Sequence, residues 1–481
     1  MLTKKWGLTY LLLLPLLAVL ASACMWGVVR DANTGVGIQG ATVTYTDSFG
    51  RTGTTTTGPG GLYRFDSATG AIPAIGPVDI RVSASGYASI DTTRIVQYND
   101  NPNATVANLS SFWDIESFDL HPGSLTGTIN TLISGVGFPV GAVYDEDGNF
   151  YFSDRDSCRV WRVSPGGTTT VIAGNGTCGY SGDGGSAVTA QLGGPAGLAI
   201  DGNGNLAITD TNNCRIRLVN LSTHVITTVA GNGTCGFAGD GGAATSAELG
   251  IADASVPSLF AWSDVAFDVH NNLYIADIFN CRIRKVAGGT ITTVAGSGAT
   301  GFGCGAFAGD GGAATSARLG DPSSVAVDSA GNVFIGEVSN CRVRKVSSGG
   351  TISTIAGTGN CTPSGNGGDA ADANLASVRG MALDNDGSLF ISQFSFNTES
   401  QPQYCQVRKI DGAGKISAVA GTGTWGFSGD GGEAADARIQ TPAGIAISCD
   451  GNLAFASPLS GRIRIVFGAT DAGPAPGNVC G

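Results

Sequence analysis

The chain is 481 residues long, with 76 glycines, 42% hydrophobic residues and only 13% charged ones. That much glycine without a collagen period calls for many tight turns, and the apolar share suffices for a large core, which excludes bulk disorder. The net charge of −12, with no run of Lys or Arg, excludes a surface that tracks phosphates, so nucleic acid is not an expected partner.

The N-terminus carries an export signal over residues 1–23. Lys4 and Lys5 precede an apolar run from Leu8 to Leu20, which ends in Ala21-Ser22-Ala23 before Cys24. The run is short for a bilayer span and its small-residue end suits cleavage. Two cleavages compete. Ala21-Ser22-Ala23 fits ordinary signal peptidase, while Leu20 to Cys24 resembles the bacterial lipobox, with Ala21 where that motif prefers Leu; there Cys24 becomes the lipidated N-terminus. No second long apolar run follows, so no transmembrane anchor is expected. Twelve cysteines behind an export signal point to disulfides.

Residues 24–121 lack further cysteines and show short alternating runs between Gly- and Pro-rich turns, as in antiparallel β-structure. The runs Gly27-Val28-Val29, Gly40-Ala41-Thr42-Val43, Gly60-Gly61-Leu62-Tyr63-Arg64-Phe65 and Val82-Ser83-Ala84-Ser85-Gly86-Tyr87 resemble the carboxypeptidase-regulatory-like family. The resemblance implies a small β-sandwich acting as a spacer or adhesive module, with no peptidase activity.

The rest of the chain repeats itself. One unit reads Asn205 to Asp210, then Asn213-Cys214-Arg215-Ile216-Arg217, then Ile226 to Gly231, then Gly239-Asp240-Gly241-Gly242; the next has Asn272 to Asp277, Asn280-Cys281-Arg282-Ile283-Arg284, Ile291 to Gly296 and Gly309-Asp310-Gly311-Gly312. Cys158, Cys214, Cys281, Cys341 and Cys405 mark one place in successive units, 56, 67, 60 and 64 residues apart. Each unit holds four short strands, a to d; in the second unit they fall near 197–200, 205–209, 215–219 and 225–230. Four strands at such a period predict propeller blades. The repeat resembles the NHL family from residue 125 to 468, and 469–481 remains as a tail.

The last unit runs out after its c strand, Arg462 to Val466, while Gly127 to Ser134 matches the d strand Gly289 to Gly296. Donating this N-terminal strand closes the ring and removes two exposed sheet edges. The expected fold is therefore all-β: a small sandwich, then a six-bladed propeller whose last blade is closed by an N-terminal strand. Cys158, Cys214, Cys281 and Cys341 precede strand c, while Cys178, Cys235, Cys304 and Cys361 follow strand d. Because c and d are antiparallel, the start of one lies beside the end of the other. This predicts the disulfides Cys158–Cys178, Cys214–Cys235, Cys281–Cys304 and Cys341–Cys361, each closing a loop of ~20 residues worth roughly 3 kcal/mol. Zinc is the rival reading, but no close Cys pair exists. A Cys449–Cys480 bond would pin the tail. Cys405 has Trp425 where its partner is expected; with Cys24 lipidated it is left as a free or externally paired thiol.

Candidate chemistry is sparse. Asp183, Asp240, Asp310 and Asp430 sit in Gly-Asp-Gly-Gly loops, and the fifth unit departs with Asn366-Gly367-Gly368-Asp369. One carboxylate per loop is thin for calcium, which takes six to eight oxygens. The plainer reading is an Asp capping backbone N–H groups in a tight turn; no cofactor is expected, with calcium as the alternative weighed. The pairs Asp154/Arg159, Asp210/Arg215, Asp277/Arg282 and Glu337/Arg342, with Gln393/Gln406 in unit five, recur at the b–c loop and read as blade-locking bonds more simply than as a substrate channel. Similar propellers include lyases with His-held zinc and lactonases with a channel calcium. Only His121, His224 and His270 occur here, so a His-zinc centre is not expected.

Two loops break the pattern. The loop before blade three holds Phe260 and Trp262. The b–c loop of blade five holds Phe394, Phe396 and Tyr404, and Trp425 follows strand d of that blade. All lie on one face, where exposed aromatics would bind a protein or glycan. The sequence thus favours a lipid-anchored or secreted envelope protein for binding or scaffolding. The opposing reading is a metal-dependent hydrolase or lyase with carboxylate ligands in the central channel.

Overall fold

The computed structural model describes residues 127–470 except 253–261, 299–303, 305–306 and 397–401, together with residue 473. Before these it describes 25–31, 39, 41–47, 52–57, 62–65, 76–83, 90–96 and 118–120. The signal segment, Cys24, His121, Phe260 and Cys480 lie outside the described residues. The chain divides into two compact units, 1–125 and 126–481.

In the first unit, Leu62–Phe65, Met25–Asp31 and Phe118–Leu120 form a three-stranded sheet. Thr52–Thr56, Thr42–Asp47, Gly76–Ser83 and Ile90–Val96 form an antiparallel four-stranded one. Val43 and Ala41 are buried at it.

The second unit is a ring of six four-stranded antiparallel sheets, each in the order a-b-c-d. Blade two shows why the residues change outward. Strand a, Pro195–Ile200, is buried at every position, and b, Asn205–Asp210, at all but its first. Both are covered on two faces by neighbouring blades, so they read as continuous apolar runs. Strand c, Arg215–Asn220, alternates, and strand d, Ile226–Ala230, is open at the rim. The apolar clusters lie between blades; Val160 and Ala173 of blade one, for example, meet Leu198 and Ile208 of blade two. Blade six consists of Ile445–Ile447, Leu453–Ser457 and Arg462–Val466, completed by Ile129–Ser134, which pairs antiparallel with its c strand (Ile463 opposite Ile133). The borrowed strand closes the ring as the repeat predicts.

Four hairpin disulfides join the expected residues. Cα–Cα distances are 5.3 Å for Cys158–Cys178, 5.3 Å for Cys214–Cys235, 5.6 Å for Cys281–Cys304 and 5.4 Å for Cys341–Cys361. Cys178, Cys235, Cys304 and Cys361 each lie just beyond strand d of their own blade, so every staple stays within one c–d hairpin. In blade two a 3-10 turn, Thr211–Asn213, ends at Cys214 in the left-handed region (φ 46°), and Cys158, Cys281 and Cys341 share this conformation. Blade six has Gly461 there at φ 58°.

Blade five differs. Its b and c strands, Leu389–Phe396 and Pro402–Ile410, extend past the usual turn, and Cys405 pairs with Phe394 inside the ladder. Cys405 therefore turns into the core as a buried free thiol. Cys449 is disulfide-bonded. The tail crosses from blade six to blade five: Thr470 Oγ1 donates to Asp384 (2.9 Å) and the Asn385 N–H to the Gly473 carbonyl (2.8 Å). Among the described residues no helix is long and apolar enough to cross a membrane.

Candidate functional site

Strands a run up, b down, c up and d down, so the b–c and d–a loops share one face. Two structures organise it: a ring of arginine clamps at the rim and an aromatic plug at the axis.

The recurring acid at the end of strand b does not pair with the first arginine of strand c. Asp210 instead meets Arg217 (3.2 Å), Asp277 meets Arg284 (3.2 Å) and Glu337 meets Arg344 (3.7 Å). Every one of these side chains is fully buried. The expected partners Arg215, Arg282 and Arg342 lie directly opposite the acid in the ladder, but their side chains reach outward. The two arginines are two residues apart and share a face of the strand, so alternation cannot tell them apart; depth between the blades does. Arg159 of blade one likewise reaches the Asn175 carbonyl (3.1 Å) while Asp154 accepts the Phe138 N–H (2.8 Å).

Each buried arginine also takes the aspartate of the preceding Gly-Asp-Gly-Gly loop. Arg217 binds Asp183 (2.7 Å), Arg284 binds Asp240 (2.6 Å), Arg344 binds Asp310 (2.5 Å) and Arg464 binds Asp430 (2.7 Å). These carboxylates are thus engaged chiefly by arginine rather than by the N–H groups of their own turns. They are ion-paired across the joint between blades, each partly exposed carboxylate meeting a buried guanidinium in a charge-assisted bond. Burial pushes the Asp183 carboxyl up, but hydrogen bonds from Thr228 and Tyr180 and the Arg217 charge outweigh it and hold it below the usual range. The residue three before each aspartate is aromatic, and the outer arginine stacks on it: Arg215 on Tyr180 at 3.8 Å, Arg282 on Phe237 at 3.7 Å, Arg342 on Phe307 at 4.0 Å and Arg462 on Phe427 at 4.1 Å. The aromatic-x-Gly-Asp spacing is legible in the sequence, but only the packing of the blades joins it to the Arg-x-Arg of the following unit.

The plug corrects the aromatic-anchor expectation. Trp262 and Phe394 are 3% and 0% exposed, and so are not available to a partner. Trp262 of the blade-three loop lies 5.7 Å from Phe394 of blade five and 6.2 Å from Phe138, just before blade one. In a six-blade ring these three blades meet only over the axis. Arg379, on the a strand of blade five, lies over both Trp262 (5.3 Å) and Phe394 (4.8 Å), and its burial lowers its pKa to about 10. Tyr404 is half-buried, its hydroxyl donating to Gln406. Phe396 is described by its backbone alone, at the end of strand b. Trp425 is the one expected anchor described as open, at 40% exposure.

Between the a strands the channel holds a cavity of about 60 Å³. Its lining carries one acid, Asp264, whose carboxyl burial raises to about 7 against the backbone N–H bonds of Val265 and Val325. Ligand pockets commonly hold ~300 Å³ or more. Among the described residues no three His, Cys, Asp or Glu side chains converge as metal ligands. His224 and His270 lie in c–d and a–b turns, away from this face.

The chain matches the NHL repeat family over residues 192–217 and the Teneurin NHL domain family over 246–347. Both spans fall within the closed six-bladed ring. The ring is a six-bladed β-propeller that matches NHL families over these two stretches. Human and mouse teneurin-4 are 32% identical to it over 108 residues, 20% of this chain; mouse teneurin-1 is 31% identical over 107. The chain spans only 4% of the length of these curated relatives. Among solved structures, an auxiliary nutrient binding protein from Bacteroides thetaiotaomicron aligns at TM-score 0.48 and 12% identity, covering 90% of this chain and 92% of that one. A putative gluconolactonase aligns at 0.44 and 12%, covering 72% and 93%.

Proposed function

We propose that the chain is an exported binding or scaffold protein whose NHL propeller presents its b–c and d–a loop face to a protein or glycan partner at the cell envelope. The observation that carries this reading is the exposure of three apolar side chains on the loops of blade six. Trp425 and Phe427 on the loop entering that blade are 40% and 42% exposed, and Leu459 of its b–c turn is 41% exposed. The two loops are tied together by a bond from the Leu459 N–H to Thr441 Oγ1 (3.3 Å). Exposed apolar side chains on a rigid frame suit a contact surface. Four hairpin disulfides support an oxidising compartment, and the leader at residues 1–23, with or without lipid on Cys24, supports export to it. The hydrolase or lyase reading receives less support, since the channel cavity is small and lined by a single acid.

The test immobilises the wild-type chain and Trp425→Ala/Leu459→Ala and offers both a glycan array and a solubilised envelope fraction. The same glycan or protein should be retained by the wild type and lost by the variant at equal thermal stability. Equal retention by both would overturn this reading.

A further inference from the structure

Blade five departs from the clamp at every polar position except one. The loop aspartate is Asn366 and the strand-b acid is Gln393. The outer arginine is Gln406 and the loop aromatic is Pro363. Ala418 stands on strand d where the other clamped blades have Thr228, Thr293, Thr354 and Thr131. The inner arginine remains, as Arg408, fully buried. In blades two, three and four this guanidinium meets two carboxylates, and in blade six it meets Asp430. Among the described residues Arg408 keeps the two carbonyl bonds that Arg217 and Arg464 also make, to Asn374 O from Nη1 (3.1 Å) and Ser364 O from Nη2 (3.0 Å), and has no carboxylate beside them.

The orientation of Gln393 adds to this. Its Oε1 accepts the Ala376 N–H (2.8 Å), as Asp210 Oδ1 accepts that of Gly193. Its Nε2 therefore stands where Asp210 Oδ2 faces Arg217, and the strand register is the same: Gln393 opposite Gln406, Asp210 opposite Arg215. Gln393 Nε2 is buried and has no acceptor among the described residues. Arg408 Nε shares that state with Arg284, Arg344 and Arg464, and what sets Arg408 apart is that no ion pair to a carboxylate accompanies it among the described residues. Two fully buried side chains thus turn donors, one of them a full positive charge, into a site that holds a carboxylate in other blades. A buried charge of this kind requires an opposite one.

We propose that the blade-five clamp binds a small monovalent anion, chloride, in place of the missing carboxylates, held by Arg408 and Gln393 with Asn366 at its outer edge. Arg408 and Gln393 are both fully buried, which favours a small, weakly hydrated ion over a phosphate or an organic acid. Replacement of the strand-d threonine by Ala418 removes the bulk and the hydroxyl beside the loop residue. Bound chloride would join blades four and five as Asp183 joins one and two.

The experiment measures urea unfolding of the full chain from 0 to 0.5 M chloride, with methanesulfonate keeping ionic strength constant. Chloride should stabilise the wild type saturably, a ~100-fold excess over Kd raising the folding constant ~100-fold. Asn366→Asp supplies the carboxylate of the other blades and should be as stable as the chloride-saturated wild type while losing the chloride dependence. Gln393→Glu should behave the same way if the first variant misfolds. Crystals soaked in bromide should show an anomalous peak against Arg408. A wild-type response no larger than that of Asn366→Asp, or a water at this position in bromide, overturns the proposal.

Discussion

Opening the staple of blade two tests how the propeller restrains its hairpins. The Cys214–Cys235 bond closes 21 residues, and restraining a loop of that length in the unfolded chain is worth about 3 kcal/mol. Cys214 also holds φ 46°, a conformation that costs a non-glycine residue about 1 kcal/mol or more. The two effects separate by choice of substitution. Cys214→Ala/Cys235→Ala loses the restraint and keeps the backbone cost, so it should lose about 3 kcal/mol. Cys214→Gly/Cys235→Ala loses the restraint but relieves the backbone, so its loss should be about 1 kcal/mol smaller. Blade six supplies the precedent, with Gly461 at the same place and a similar φ of 58°. Urea midpoints at unchanged slope give both values. A glycine variant no more stable than the alanine one refutes the backbone account, and losses under about 0.5 kcal/mol in both refute the restraint account.

Two further outcomes follow from buried groups. Asp264 has its carboxyl raised to about 7 by burial, above its unfolded value near 3.9. Between these values the folded state binds the extra proton, so the stability this group contributes is complete below about pH 4 and lost as pH rises through 7. Asp264→Asn should flatten the fall in thermal midpoint between pH 4 and 7, and an unchanged profile would show that another group titrates there. Cys405 is fully buried, with its thiol pushed up to about 12. It should resist iodoacetamide in the native protein and react on unfolding, by peptide mass mapping. Native labelling at the rate of an exposed thiol would mean that the plug opens.

The repeat alone determined the ring. Its apolar runs set four strands per blade, and the strandless end and orphan N-terminal strand set the closure. The cysteine offsets set four staples, because the start of c and the end of d are neighbours in a hairpin whatever surrounds it; Cys178, Cys304 and Cys361 need nothing beyond their own blades to meet their partners. These are local or periodic consequences of the chain. Tertiary structure decided what depends on distance from the axis. Arg215 and Arg217 share a strand face, and only packing between blades buries one and leaves the other stacked on Tyr180. Trp262 and Trp425 both sit in irregular loops, yet the first crosses the axis to Phe394 and is buried while the second stays on the rim. Cys405 keeps the repeat's address, but a longer hairpin holds it in the ladder, facing inward. Sequence gives a residue's place along its blade, whereas exposure depends on the opposite blades, which the chain brings together only by closing.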